Sequence, residues 1–247
     1  MKPILKAEDL QVAFGGVIAA DRVNLTVLAD EVLAIVGSNG SGKTTFVNVC
    51  TGYIKPRRGE VYFGNTALSR LHPRAITRLG IARAFQIPQL FAEHTVLENL
   101  LLAAAARRGF WRPFSAISRP CYLEEAREAL GLLGLEGCAS QRAAQLSEGT
   151  RKLVDIAMAL ALRPRLLFMD EPTSGVSSDE AIVIMEAVMG ALARAGITTV
   201  FVEHDMEMVR RYAHRVAVWE SGRVVAQGQP HGILHDSQIR ESIAGMA

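Results

Sequence analysis

Between residues 4 and 36, apolar and polar positions alternate, interrupted by turn signals at Phe14-Gly15-Gly16 and Ala29-Asp30-Glu31. A period of two predicts an antiparallel sheet, which here feeds a strand over Val32-Leu33-Ala34-Ile35-Val36. Thr45-Phe46-Val47-Asn48-Val49 reads as a helix that ends near Thr51-Gly52-Tyr53. A short strand at 61–63 with a turn at Gly64-Asn65 follows, then a strand over 81–86, with Pro88 breaking the chain behind it. From about 95 to 162 the period lengthens to that of helices, clearest at 96–101 and 124–133. An amphipathic helix carrying Leu153, Ile156, Ala157, Leu160 and Ala161 closes at Arg163-Pro164-Arg165. Two apolar stretches that end in polar residues, 166–171 and 198–204, read as buried parallel strands. They flank a helical run at 181–195, and strands at 216–219 and 224–226 with a helical tail end the chain. The pattern predicts an α/β protein. A core with an N-terminal antiparallel β subdomain takes 1–86 and 163–247, and a helical subdomain is inserted at 87–162.

The chemistry concentrates where strands end. Gly37-Ser38-Asn39-Gly40-Ser41-Gly42-Lys43-Thr44 links the strand at 32–36 to the helix behind it and matches the phosphate-binding loop G-x-x-x-x-G-K-[ST]. Glycines let successive backbone N–H groups turn toward an anion, and the helix adds its positive N-terminal end. Lys43 is expected to neutralise β- and γ-phosphate charge, and the Thr44 hydroxyl to hold Mg²⁺. Asp170 and Glu171 end the run at 166–171, where ligands of parallel sheets sit. Asp170 is expected on Mg²⁺ and Glu171 over the γ-phosphate, as base or positioner of the attacking water. His204 ends the next buried strand in the same manner and is expected to contact the γ-phosphate.

Other candidates carry two readings. Phe14 either stacks an adenine ring or fills the core at a strand end. Gln86 is either a ligand of Mg²⁺ or the water, or a plain loop residue. Ser147 is a plausible N-cap, and Ser147-Glu148-Gly149 at a helix start is either a second anion site or only a cap. Arg57 and Arg58 read as a solvated face rather than a ligand site. The aromatic and basic segment 107–114 is either an irregular surface loop or a docking element for a partner or lipid headgroups.

The net charge of +2 is too mild to make nucleic acid the main partner. Three scattered cysteines lack metal-ligand spacing and cannot build a disulfide framework, which suggests a reduced, cytoplasmic setting. No apolar run reaches 18 residues, so any membrane role is expected to work through a partner.

With these pieces in order, the chain resembles the ATP-binding subunits of ABC transporters. It is most similar to those of branched-chain amino acid uptake systems and their amide- and aromatic-acid-importing relatives. The resemblance rests on Phe14, the loop 37–44, Gln86, the signature 146–150, Asp170-Glu171 and His204, and covers essentially the whole chain. It implies ATP and Mg²⁺ as ligands. ATP would be bound by Phe14, Ser38, Asn39, Gly40, Ser41, Gly42, Lys43, Thr44 and Thr45, and by Ser147 and Gly149 of a facing subunit. Mg²⁺ would be held by Thr44, Gln86 and Asp170, and turnover would depend on Glu171, His204, Gln86 and Lys43. The implied partners are a second ATPase subunit, identical or paralogous, membrane permease subunits and, indirectly, an external solute-binding protein. The implied location is the cytoplasmic face of the inner membrane. Two departures stand out: the usual Leu-Ser-Gly-Gly-Gln is Leu146-Ser147-Glu148-Gly149-Thr150, and Ser177 stands where an aspartate is usual. Glu148 is expected to point away from the phosphate. A soluble ABC-type ATPase acting on nucleic acid or ribosomes, or a small-molecule P-loop kinase, are the rival classes. The first usually carries paired cassettes or long insertions, and the second does not account for 146–150.

Overall fold

The structure, a computed structural model, describes residues 2–107 and 120–235. The segment 107–114, apart from Arg107, and the tail beyond residue 235 therefore lie outside the described residues. In chain order the strands are β1 (Pro3–Phe14), β2 (Val17–Leu28), β3 (Val32–Gly37), β4 (Arg58–Phe63), β5 (Thr66–Ala67), β6 (Ile81–Ala84), β7 (Leu166–Asp170), β8 (Thr198–Val202), β9 (Arg215–Glu220) and β10 (Arg223–Gly228). The helices are α1 (Lys43–Cys50), α2 (Pro73–Leu79), α3 (Val96–Arg107), α4 (Pro120–Leu132), α5 (Glu148–Ala161), α6 (Ser178–Ala195), α7 (Met206–Tyr212) and α8 (Pro230–His235).

The chain divides into two compact units, 1–79 with 198–247, and 80–197. In the first, β1 and β2 form the long hairpin expected from the alternation, and β4 and β5 extend it in the order β2-β1-β4-β5. Beside it β3 runs parallel to both β8 and β9, and β10 closes on β9 antiparallel. Every residue of β8 is buried, as is all of β3 after Val32, so these strands have no polar face. Phe46 on α1 packs on the indole of Trp219 at 5.1 Å and anchors the helix to the sheet.

In the second unit β6 pairs in parallel with the fully buried β7, and α3, α4 and α5 pack on one another. Thr95 and Glu98 form a reciprocal capping box at the start of α3, with Thr95 N–H on Glu98 Oε2 at 2.7 Å and Glu98 N–H on Thr95 Oγ1 at 3.2 Å. Arg107 at the end of α3 pairs with the buried Glu125 of α4 at 2.9 Å.

Two short helices escaped the pattern reading. α2 has seven residues, too few for a 3.6-residue period to show, and its one clear mark is proline at the first helical position. α7 is also seven residues long, and Asp205 caps it by accepting from Glu207 N–H at 2.8 Å.

Candidate active site

The phosphate loop joins β3 to α1 in the first unit. Gly42 is the N-cap of α1 and sits at φ 104°, where an L side chain is strained. A Cβ there would overlap the Ala19 carbonyl oxygen, so only glycine lets the loop lie this close to the hairpin. Gly40 also has positive φ, 76°, but faces open space, leaving the outer rim of the loop unobstructed. Ser38 is half-buried, Asn39, Gly40 and Thr44 are exposed, and Thr45 is half-buried, so the rim and the first helical turn are accessible. Lys43 is buried, and its ammonium donates to the carbonyls of Gly37 at 2.7 Å and Ser38 at 2.8 Å. The cation is thus stored inside the curl of its own loop. Ser41 Oγ is buried without a hydrogen-bond partner. Loop, cation and helix start together form a positively biased cradle that fits an anionic phosphate chain.

His204 lies just past β8, held by its own N–H on Glu203 Oε2 at 3.1 Å, before the Asp205 cap turns the chain into α7. Phe14 is at the tip of the β1–β2 hairpin, paired with Val17, and is 51% exposed. Of the two sequence readings, burial in the core is therefore excluded.

In the second unit the chain brings three predicted residues together. Gln86, two residues beyond β6, donates from Nε2 to Glu171 Oε2 at 2.6 Å. Asp170, at the end of β7, is 2% exposed and receives Arg83 Nη2 on Oδ2 at 2.6 Å, while its Oδ1 is buried with no partner. One carboxylate oxygen is tied to an arginine and the other is uncommitted, so Asp170 can offer one hard oxygen to a divalent cation that keeps most of its waters. Glu171 has φ 49°, a left-handed conformation that costs about 1–3 kcal/mol for a residue with a side chain. That turn swings its carboxyl out of line with the strand and toward Gln86.

Residues that sequence reasoning passed over hold this group in place. Arg83 lay inside a stretch read only as a strand. Lys152 on α5 donates to the carbonyls of Gln86 at 3.2 Å and Glu171 at 3.4 Å, and to Ser174 Oγ at 3.2 Å. Asp155, one turn later, accepts the N–H of Phe85 at 2.8 Å and of Gln89 at 3.0 Å. Burial raises the Asp155 carboxyl to about 6, against the pull of those two amides, Lys152 and Arg83. The available signal was charge in the wrong place, since Lys152 and Asp155 fall on the buried face of an amphipathic helix.

At the start of α5, Ser147 is exposed and caps the helix, its Oγ accepting from Thr150 N–H at 3.3 Å. Glu148 is exposed. Gly149 is buried, and a Cβ there would overlap the Glu180 carboxylate of α6. Ser177 caps α6 through Glu180 N–H at 3.3 Å, the local task an aspartate would perform. Among the described residues no helix is long and apolar enough to cross a membrane.

A phosphate loop behind a buried parallel strand, an acidic pair at the end of another, and a serine-capped signature helix define an ATP-binding cassette. The sequence profile of the ABC transporter family matches residues 20–174. The chain belongs to that family and is an ABC-type ATPase, a subunit that binds and hydrolyses ATP. It is 35% identical to a probable branched-chain amino acid transport ATP-binding protein LivG of Archaeoglobus fulgidus, over 98% of this chain and 95% of that protein. It is 30% identical to the high-affinity branched-chain amino acid transport ATP-binding protein LivG of Escherichia coli K12, over 100% and 99%. The fold matches MJ1267, an ATP-binding cassette of an ABC transporter, with TM-score 0.89 and 34% identity over 99% of each chain. It also matches the dimeric, ADP- and Pi-bound post-hydrolysis state of the cassette MJ0796, with TM-score 0.78 and 30% identity over 92% of this chain and 98% of that one.

Proposed function

We propose that this ATPase powers uptake of a branched-chain amino acid, or a related small amino acid, amide or organic acid, through separate membrane permease subunits. The observation that carries the reading is the match to LivG proteins over nearly their whole length, in two distant organisms. The cassette works as a pair, with itself or a paralogue, so that ATP on one phosphate loop meets Ser147 and Gly149 of the facing subunit. A helix N-terminus supplied in trans makes closure depend on the γ-phosphate, and hydrolysis removes that bridge. The helical subdomain, 87–162, meets the permease and passes the motion on; Ile87 and Phe91, 74% and 55% exposed at its start, are apolar side chains available for that contact. The subunit is peripheral, on the cytoplasmic face of the inner membrane, and an external solute-binding protein delivers cargo to the other side.

Phe14 stacks the adenine, and residues 38–45 wrap the phosphates. Lys43 exchanges its two loop carbonyls for phosphate oxygens. Glu171 accepts the proton of the attacking water, held by Gln86 in a conformation where its carboxyl faces outward. His204 donates to the γ-phosphate as charge develops. Thr44, Gln86 and Asp170 would hold Mg²⁺, which when bound neutralises β- and γ-phosphate charge.

Glu171→Gln tests the scheme. The variant is expected to bind ATP with unchanged affinity, hydrolyse it at least about 100-fold more slowly, and run as a dimer on size exclusion with ATP. Turnover near the wild-type rate would refute the assignment of Glu171. Co-purification of polytopic subunits from detergent-solubilised membranes tests the transport reading, and their absence would favour a cassette that works without a channel.

A further inference from the structure

The signature helix carries more than the capping serine at its tip. Ser147 and Asp155 are eight residues apart, about 12 Å along α5. At the near end the helix presents Ser147 and Gly149 to solvent and to α6. Further along, its buried face grips the loop that carries Gln86 from both sides. Asp155 Oδ2 takes the N–H of Phe85 at 2.8 Å and Oδ1 the N–H of Gln89 at 3.0 Å, so one carboxylate spans residues 85 and 89. Lys152 closes the clasp on the Gln86 carbonyl at 3.2 Å and ties the same ammonium to the Glu171 carbonyl at 3.4 Å. Gln86 in turn holds Glu171 at 2.6 Å.

A buried carboxylate is costly unless its hydrogen bonds are used, and here both oxygens are spent on backbone amides of a single loop. The loop segment 85–89, which contains Pro88, has no strand or helix ladder of its own. Its shape therefore depends on α5.

We infer that Asp155 and Lys152 are positioning residues that lock the Gln86 loop and the Glu171 backbone to the signature helix, so that displacement of the helix tip by a facing subunit's nucleotide is transmitted to the water-positioning pair. The inference rests on the roles proposed above for Gln86 and Glu171. It adds to them a rigid connection inside the chain between the trans-facing tip and the hydrolytic centre. A helix moves as a body, and two charge-assisted anchors on one loop convert that movement into a shift of Gln86. A misplacement of about 1 Å at such a centre costs up to about 100-fold in rate.

The test is steady-state ATP turnover by the full-length protein in five forms: wild type, Asp155→Asn, Asp155→Glu, Gln86→Ala and the Asp155→Asn/Gln86→Ala pair. Asp155→Asn keeps one acceptor oxygen and turns an amide group toward the other N–H. It is expected to lower kcat about 10- to 100-fold with KM within about twofold of wild type. Asp155→Glu, which keeps both acceptors, restores most of kcat. On the Gln86→Ala background, Asp155→Asn adds no further loss, because the group it positions is gone. Unchanged kcat in Asp155→Asn, or a loss that multiplies with that of Gln86→Ala, overturns the inference. Wild-type turnover in Gln86→Ala would be a separate outcome: it overturns the role of Gln86, and the inference falls with it. Melting curves establish that each variant folds. Should Asp155→Asn not fold, Lys152→Met takes its place, with the same expected loss of kcat and the same absence of effect on the Gln86→Ala background.

Discussion

Arg83 and Asp170 form an ion pair with side chains 8% and 2% exposed, and removing the arginine should expose what that pair is for. At an effective dielectric near 20, two unit charges about 4 Å apart attract by about 4 kcal/mol, and burying each ion costs several kcal/mol. Intact, the pair is therefore close to neutral for stability. Arg83→Met leaves the desolvated Asp170 charge without its partner, in a strand whose five residues are all buried. The expected loss is about 3–5 kcal/mol. Asp170→Asn on that background removes the orphaned charge and should recover most of it, so the double-mutant coupling should be about 3 kcal/mol. Urea unfolding followed by far-UV circular dichroism, on wild type, both singles and the double, measures all four corners of the cycle. Equal m-values are needed for the comparison. A loss below about 1 kcal/mol for Arg83→Met, or no recovery in the double, would mean that water reaches Asp170 and that its environment is not the dry strand end described above.

Two other outcomes follow from the same neighbourhood. Asp155 has its carboxyl raised from 3.8 to about 6, so it contributes stability that is complete below pH 3.8 and lost as pH rises through 6. Relative to Asp155→Asn, wild type should gain about 1.4 kcal/mol between pH 7.5 and pH 5, toward a limit of about 3 kcal/mol, measured by urea unfolding at each pH; a gap that stays constant would place Asp155 in water. For Gly149→Ala, the new methyl group meets the Glu180 carboxylate and lies 3.1 Å from Ile184 Cδ1. Overpacking of about 1–3 kcal/mol then opposes a helix-propensity gain of up to about 1 kcal/mol. Adding Glu180→Ala should restore the melting temperature and ATP turnover together, since the methyl group points at α6 and not at the exposed helix tip. Turnover that stays lost once the melting temperature has recovered would show that Gly149 does more than pack against α6.

Much of this protein is legible without coordinates because its chemistry is written in short, local stretches. The phosphate loop needs glycine at Gly42 for a conformation that its own φ demands, and lysine one residue on. Strand ends announce Asp170, Glu171 and His204, because an apolar run that stops at a polar residue is a buried strand reaching the sheet's edge. Ser147 is a cap readable from the helix behind it, whereas the capping role of Ser177 emerged with the structure. What stayed hidden joins residues far apart in the chain. Gln86 meets Glu171 across 85 positions, Arg83 meets Asp170 across 87, and Asp155 and Lys152 reach back 66 to 70 to the Gln86 loop. No local pattern encodes such pairs. A carboxylate and two amides come together only when α5 packs on β6, and burial then decides that Asp155 titrates near 6 and that an exposed Phe14 is not core. Local stretches determine which groups are present, because turns, caps and strand periods depend on neighbours in sequence. Tertiary packing determines which of those groups act on one another, because desolvation and hydrogen bonding depend on neighbours in space.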